Sequence, residues 1–267
     1  MSMQLAKTED RLKSVLATEG VKKRFEEMLG GRANSFISSI ISAVNSNKSL
    51  KECDPMSVVQ AAAVAASMDL PVNSSLGFAH IVPYQGLAQF QIGWKGIVQL
   101  AMRSGQYKTI NLTPVLEGQI KSHNSFTGEM EFQEASTSDK HVGYLLYFKL
   151  LNGYEKYFYM TKEQCLAHGK RYSKSFAGGK GKWADDFEAM SLKTVAKLGL
   201  SKYGILSLDM QKVMTVDQAV VAEDGTPEYV DAVTVEAEVV APKPAKSSRL
   251  TKLVDETKPT DEGGSPI

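Results

Sequence analysis

The stretch from Ser57 to Met68 constrains this chain most, because Val58, Val59 and Ala61 to Ala66 leave it almost no polar side chain. A helix of that composition has no face for water. It must be buried on most sides, with neighbouring backbone close against its short side chains. Asp54-Pro55 marks its start: the carboxylate can cap, and proline in the first turn lacks only an N–H that has no helical partner. Pro71 ends it. Upstream, Val21, Phe25, Met28 and Leu29 recur at helical spacing until Gly30-Gly31, and Phe36, Ile37, Ile40, Ile41 and Val44 mark a second helix. Residues 1–18 show weak periodicity and are expected to be flexible.

Beyond Pro71 the period changes to two. Phe78 to Tyr84 reads as a strand, Gln85-Gly86 as a turn and Leu87 to Gly93 as the returning strand. Ala88, Phe90 and Ile92 share one face of it, Gln89 and Gln91 the other. A helix is expected from Trp94 to Ser104, strand near Ile110 to Val115, and a polar excursion from His123 to Ser138. Val142 to Leu151 and Tyr154 to Met160 pair naturally across Asn152-Gly153. Thr161 and Gln164 fit a capping box for the next helix. A Gly- and Lys-rich loop, Ser173 to Lys182, precedes a helix whose stripe is Phe187, Met190, Thr194, Val195 and Leu198. Ser207 to Val220 reads as the last helix. Helices, a strand-rich middle and helices again predict an α+β fold, with a small β-sheet core and flanking helices. Residues 19–220 are expected to form the working domain. From about Ala222 aromatics nearly vanish, and 221–267 read as a disordered acidic tail.

Charge follows the same division. Residues 1–210 hold 25 Lys+Arg against 19 Asp+Glu, and the remaining residues hold 6 against 11. Within 140–202 the balance is 12 against 5. A basic body with an acidic end points to a polyanionic partner. No apolar run approaches the ~18 residues of a membrane span, and Met1-Ser2-Met3-Gln4 does not begin a signal peptide. Cys53 and Cys165 make no disulfide or zinc framework. These features suggest an intracellular, soluble protein with no membrane partner.

Several chemistries are missing. There is no G-x-x-x-x-G-K-[ST] phosphate loop: Gly181-Lys182 is followed by Trp183. The dinucleotide-like Gly179-x-Gly181-x-x-Ala184 follows no strand. His80, His123, His141 and His168 are scattered, without zinc spacing. Asp185, Asp186 and Glu188 could hold Mg²⁺ for a nuclease. Acids at a helix start are, however, expected from the helix dipole alone. No cofactor, metal or catalytic residue is expected.

Three stretches instead interleave amides, cations, aromatics and glycine. They are Gln89 to Gly96, Arg103-Ser104-Gly105-Gln106-Tyr107-Lys108, and Lys170 to Trp183. Residues 162–182 hold six Lys+Arg against Glu163 alone. Such a mixture suits a groove that tracks a sugar-phosphate strand. Phosphate contacts are expected from Lys95, Arg103, Lys108, Lys174, Lys180, Lys182, Lys193 and Lys197. The last two are four apart on one helix and share a face. Gln89, Gln91 and Tyr107 would line the groove, with Gly93 and Gly96 allowing close backbone approach. Trp183 would either stack on a base or seal the core.

The same residues carry a resemblance. Ile81-Val82-Pro83-Tyr84, Gln89-Phe90-Gln91-Ile92-Gly93-Trp94-Lys95-Gly96 and Arg103-Ser104-Gly105 are similar to the RecT family of phage-type single-strand annealing proteins. Asp54-Pro55 with the Ala-rich helix, Asp69-Leu70-Pro71, Trp183 and Met190-x-x-Lys193-Thr194 also fit, over about residues 20–220. The resemblance implies a Redβ-like core lining a basic groove. It implies binding of single-stranded DNA and the annealed duplex, ATP-independent annealing in recombination, and a homo-oligomeric ring or helical filament. It further implies a phage 5′→3′ exonuclease and the host single-strand binding protein as partners, in the cytoplasm of a bacterial host. The absence of catalytic motifs is consistent with annealing, which makes no bond. A coating protein that binds without annealing, and a nuclease using Asp185, Asp186 and Glu188, are the alternatives. The N-terminal helices would belong either to the core or to a subunit contact. The tail would either recruit a partner or repel DNA.

Overall fold

The computed structural model describes residues 11–221 together with Pro227 and Glu228. The chain divides into two compact units, 1–233 and 234–267, and all described residues belong to the first. The tail expected at 221–267 therefore lies almost wholly outside the described residues. The ordered part begins earlier than the period suggested: residues 11–16 are helical and bury Leu12 and Leu16.

Helix α1 (Glu19–Leu29) ends at Gly30, whose φ of 56° stops the helix. A short 3₁₀ turn then leads into α2 (Ala33–Asn45). Phe25, Leu29, Ile40 and Val44 are buried in the chain's own core, so the apolar stripes of these helices are used internally. Helix α3 (Pro55–Ser67) is the helix without a polar face, and it is buried along nearly its whole length. Asp54 caps it, accepting a hydrogen bond from the Ser57 N–H at 2.9 Å. Both ends are fastened to distant chain. Near the start, the Ser57 hydroxyl accepts from the Ala88 N–H at 2.8 Å. At the far end, Arg103 donates to the carbonyls of Met68 and Asp69 at 2.8 and 2.9 Å.

Strands β1 (Ala79–Tyr84) and β2 (Leu87–Ile92) form an antiparallel hairpin with Ile81 opposite Phe90. Gln85 and Gly86 both take positive φ, the turn geometry that matches strand twist. The face carrying Ala79, Ile81, Ala88, Phe90 and Ile92 is buried. Helix α4 (Trp94–Arg103) follows. A second, three-stranded antiparallel sheet has the order β3 (Tyr107–Leu116), β6 (His141–Leu150), β7 (Glu155–Thr161). The polar excursion is a small hairpin of β4 (Ile120–His123) and β5 (Met130–Phe132). The Thr161–Gln164 capping box is present and opens α5 (Lys162–Tyr172).

Two single helical turns, Lys174–Ala177 and Lys182–Asp185, interrupt the Gly- and Lys-rich loop. Helix α6 (Phe187–Tyr203) then crosses the sheet, with Gly199 leaving room for Leu146 and Phe158. The last helix, α7, is shorter than expected (Leu208–Val216), and the chain returns to β structure at β8 (Val220–Val221) and β9 (Pro227–Glu228). Ala219 bridges Phe90, so this end of the chain adds to the free edge of β2. The architecture is the expected α+β arrangement: small antiparallel sheets with helices around them.

Candidate nucleic-acid interface

The polar face of the first hairpin, the start of α4 and the first turns of α6 enclose a cleft of about 370 Å³. Gln91 and His80 come from the hairpin, Lys95 from α4, Lys182 from the turn before α6, and Lys193 from α6. A second cleft of about 340 Å³ lies along α6 and is lined by His168, Tyr172, Trp183, Lys197, Asp217 and Gln218 among others. Met190 and Lys193 line both, so the two clefts meet over α6. A third depression, lined by Ser39, Ser42, Ser46 and Asn73, shares Ser74 and Ser75 with the first cleft. The open chain of depressions thus runs from hydroxyls through cations to aromatics.

The walls are set by backbone packing. The Gly93 N–H donates to the Phe78 carbonyl at 2.9 Å. A Cβ on Gly93 would collide with the Gly77 carbonyl, and one on Gly96 with the Phe78 carbonyl. The glycines do permit a close approach, but of the protein's own chain rather than of a ligand.

Of the expected residues, Gln91, Lys95, Lys182, Trp183, Lys193 and Lys197 come together here. Several take other roles. Lys193 is not a free phosphate contact: its side chain is 7% exposed and its ammonium is 2.8 Å from Asp217 Oδ1. Lys197, 32% exposed, reaches Asp217 Oδ2 at 3.0 Å. Asp217 also accepts from the Ile92 N–H at 3.2 Å, tying α6 to the hairpin. Burial by itself would raise the Asp217 carboxyl, but Lys193 and Lys197 outweigh it and hold it below the ordinary carboxylate value. Burial lowers the Lys193 ammonium, Asp217 opposes that shift, and Lys197 adds to it. The face of α6 that carries Lys193 is therefore largely buried.

Gln89 is 1% exposed, and its Nε2 has no hydrogen-bond partner among the described residues, so it does not line the open cleft. Arg103 is committed to the end of α3. Arg103→Ala should lower stability by about 1–3 kcal/mol, because two carbonyls lose a charged donor, while leaving strand binding unchanged; urea unfolding and a binding titration check both. The Tyr107 hydroxyl donates to the Ile205 carbonyl at 2.9 Å and its ring packs on Phe148, away from the clefts. Trp183 is buried, with Phe176 stacked at 5.5 Å and Phe187 at 5.7 Å, so its ring packs rather than standing free for a base. Lys108, Lys174 and Lys180 are exposed and line neither cleft. Lys174 and Lys180 do flank Phe176, the ring stacked on Trp183.

Two histidines that the sequence reading weighed only as zinc ligands line the clefts. His80 is lowered by burial, then by Lys193 and Lys182; His168 by burial, then by Lys197 and Arg171. The alternation of β1 placed His80 on the face of Gln91, so that signal was present. The carboxylates considered for metal take separate partners. Asp186 caps α6 through the Ala189 N–H, Glu188 lies 3.0 Å from His141, and Asp185 lies 4.0 Å from Lys182. Among the described residues no group of three or more His, Cys, Asp or Glu converges, and no helix is long and apolar enough to cross a membrane.

The chain is 47% identical over 261 residues to a Bacillus subtilis protein named uncharacterized protein YqaK, covering 96% of this chain and 87% of that one. It is 28% identical over 179 residues to Escherichia coli protein RecT, covering 63% of this chain and 65% of that one. The sequence pattern of the RecT family matches residues 34–232, a span that includes both clefts and every element around them, and the chain belongs to that family.

Proposed function

We propose that this protein binds single-stranded DNA in the joined clefts and anneals complementary strands without a nucleotide cofactor. Membership of the RecT family supports an annealing protein's role in recombination. The observation that carries the reading to this site is the meeting of the two clefts over α6, with Lys95, Lys182 and Lys197 at their walls. These cations can neutralise successive phosphates. The chemistry needs no bond-making group, so contacts go to the backbone and bases stay free to pair.

The active form in this reading is a homo-oligomeric ring or filament, in which neighbouring clefts join and affinity multiplies through effective concentration. Lys174 and Lys180 extend the cationic track beyond Trp183, and Lys108 contributes from β3. A 5′→3′ exonuclease that exposes the strand and a host single-strand binding protein act beside it in the bacterial cytoplasm. The test is annealing of two complementary labelled oligonucleotides without nucleotide, with and without Mg²⁺. Faster pairing of intact strands is expected. Binding without acceleration would leave a coating protein, and shortened strands in Mg²⁺ would make it a nuclease.

The histidines add a pH signature. With both pKa values below the ordinary ~6.5, the folded protein binds fewer protons than the unfolded chain just below that value. Their contribution to stability is thus present above pH ~6.5 and is lost as pH falls towards their folded values. A phosphate strand in the clefts favours the charged imidazoles, so binding takes up protons and should tighten as pH falls below neutrality. Binding titrations of wild type and of His80→Gln with His168→Gln check this; an equal pH slope in both would refute it.

A further inference from the structure

The last residue of α5 is an aromatic ring that phosphate contacts leave unexplained. Tyr172 lines the second cleft with Lys197 and is 47% exposed, whereas Trp183, in the same cleft, is buried. Helical spacing places Tyr172 one turn beyond His168, and the two rings lie 4.6 Å apart. His168 is half-buried and lies 6.5 Å from the Trp183 ring, which Phe176 stacks on at 5.5 Å. The rings thus form a row from the core outwards, ending at Tyr172. Gly169 lets α5 sit directly on the inner part of that row, because a Cβ there would meet the side chains of Phe176 and Trp183. At the outer end the Arg171 guanidinium lies 5.4 Å from the Tyr172 ring. A ring anchored from within, yet open to a cationic cleft, is what a nucleobase stacks on while the phosphates of its strand meet ammonium groups.

We propose that Tyr172 is the base-stacking residue of the second cleft and takes the face of an unpaired base there. The proposal rests on the reading of the clefts as a DNA site and names the part of the strand that the second cleft holds. The stacking role that the sequence left open for Trp183 falls to Tyr172 instead. Phosphate contacts carry little information about pairing, since single strands and duplexes present the same groups. A ring does distinguish them, because a base within a duplex already has neighbours on both faces. Stacking is also tolerant of sequence, since every base has such a face. It leaves the pairing edge free, so a base held on Tyr172 still meets its complement.

The test uses the full chain and two probes of equal length, an oligothymidylate and an oligomer of the same sugar-phosphate backbone without bases. Wild type should bind the oligothymidylate at least about tenfold tighter than the abasic oligomer. Tyr172→Ala should narrow that ratio about fivefold or more, by weakening the oligothymidylate while leaving the abasic oligomer within about twofold. Tyr172→Phe keeps the ring and should keep the ratio. Phe126→Ala removes an exposed ring at the β4–β5 turn that lines neither cleft, and should keep it too. Tyr172→Leu, which retains apolar bulk without an aromatic face, makes the same comparison should the alanine variant unfold. An unchanged ratio in the variants without the ring, or a loss shared equally by both probes, would overturn the proposal. A wild type that binds both probes alike would also overturn it, while the clefts would stand as a backbone-binding DNA site. A wild type that binds neither probe would overturn the DNA reading and the proposal with it.

Discussion

A chain carrying both Lys95→Glu and Lys182→Glu should lose single-strand binding by at least about a hundredfold at moderate salt. Its melting temperature should stay within a few degrees of wild type. The two residues stand on different walls of the first cleft and both are exposed at their charged ends. On the proposed reading each reversal removes one phosphate contact and adds a repulsive charge in a confined space, where opposing charges act most strongly. The Lys95 ammonium lies 5.6 Å from the Trp94 ring. Fluorescence anisotropy across a salt series measures both affinity and slope. Unaltered affinity with an unaltered slope would remove the first cleft from the site.

Asp217→Ala should cost about 3–5 kcal/mol of folding stability, the usual result of leaving a buried charge unpaired. Lys193 would lose its counter-ion and the Ile92 N–H its acceptor. Urea unfolding measures the loss, and its pH dependence identifies the cause. Because the folded carboxyl of Asp217 is lowered, its contribution is complete above its unfolded value of ~3.9 and is lost as pH falls through the folded value. Wild type should therefore lose stability below about pH 4 more steeply than the variant. In the variant, Lys193 is a buried ammonium without an anion, and raising the pH above neutrality should recover stability as it deprotonates. A variant within 1 kcal/mol of wild type at neutral pH would mean that water or a rearranged neighbour replaces the carboxylate.

Most of the fold was legible because its elements announce themselves locally. The Ala-rich α3, the turn at Asn152-Gly153 and the Thr161–Gln164 capping box each depend on residues close in sequence. The site was only partly legible. Lys95 and Lys182 were found from their local mixture of charge, glycine and aromatics. Lys193 and Lys197 were placed together correctly on one helix, but their shared partner, Asp217, lies 24 and 20 residues away. No periodicity announces such a contact. Arg103 looked like a phosphate ligand because a cation beside glycine is the same local signal whether it meets DNA or the carbonyls ending α3. Gln89 obeys the alternation of β2 and still ends up buried, since its neighbours and not its strand period decide what covers that face.

The crossing at Gly93 and Gly96 has a consequence for how relatives can diverge. The loop at Gly77–Phe78 and the start of α4 are held together main chain to main chain, with no side chain between them. Substitutions can change the charge, polarity and stickiness of the first cleft one residue at a time, because Lys95, Lys182, His80 and Gln91 are side-chain features of its walls. Its gauge is another matter. Widening it requires a Cβ at two positions where the carbonyls opposite leave no room, so both glycines and the loop would have to change together. The side chains that line the cleft can change one at a time; the backbone crossing that sets its width cannot.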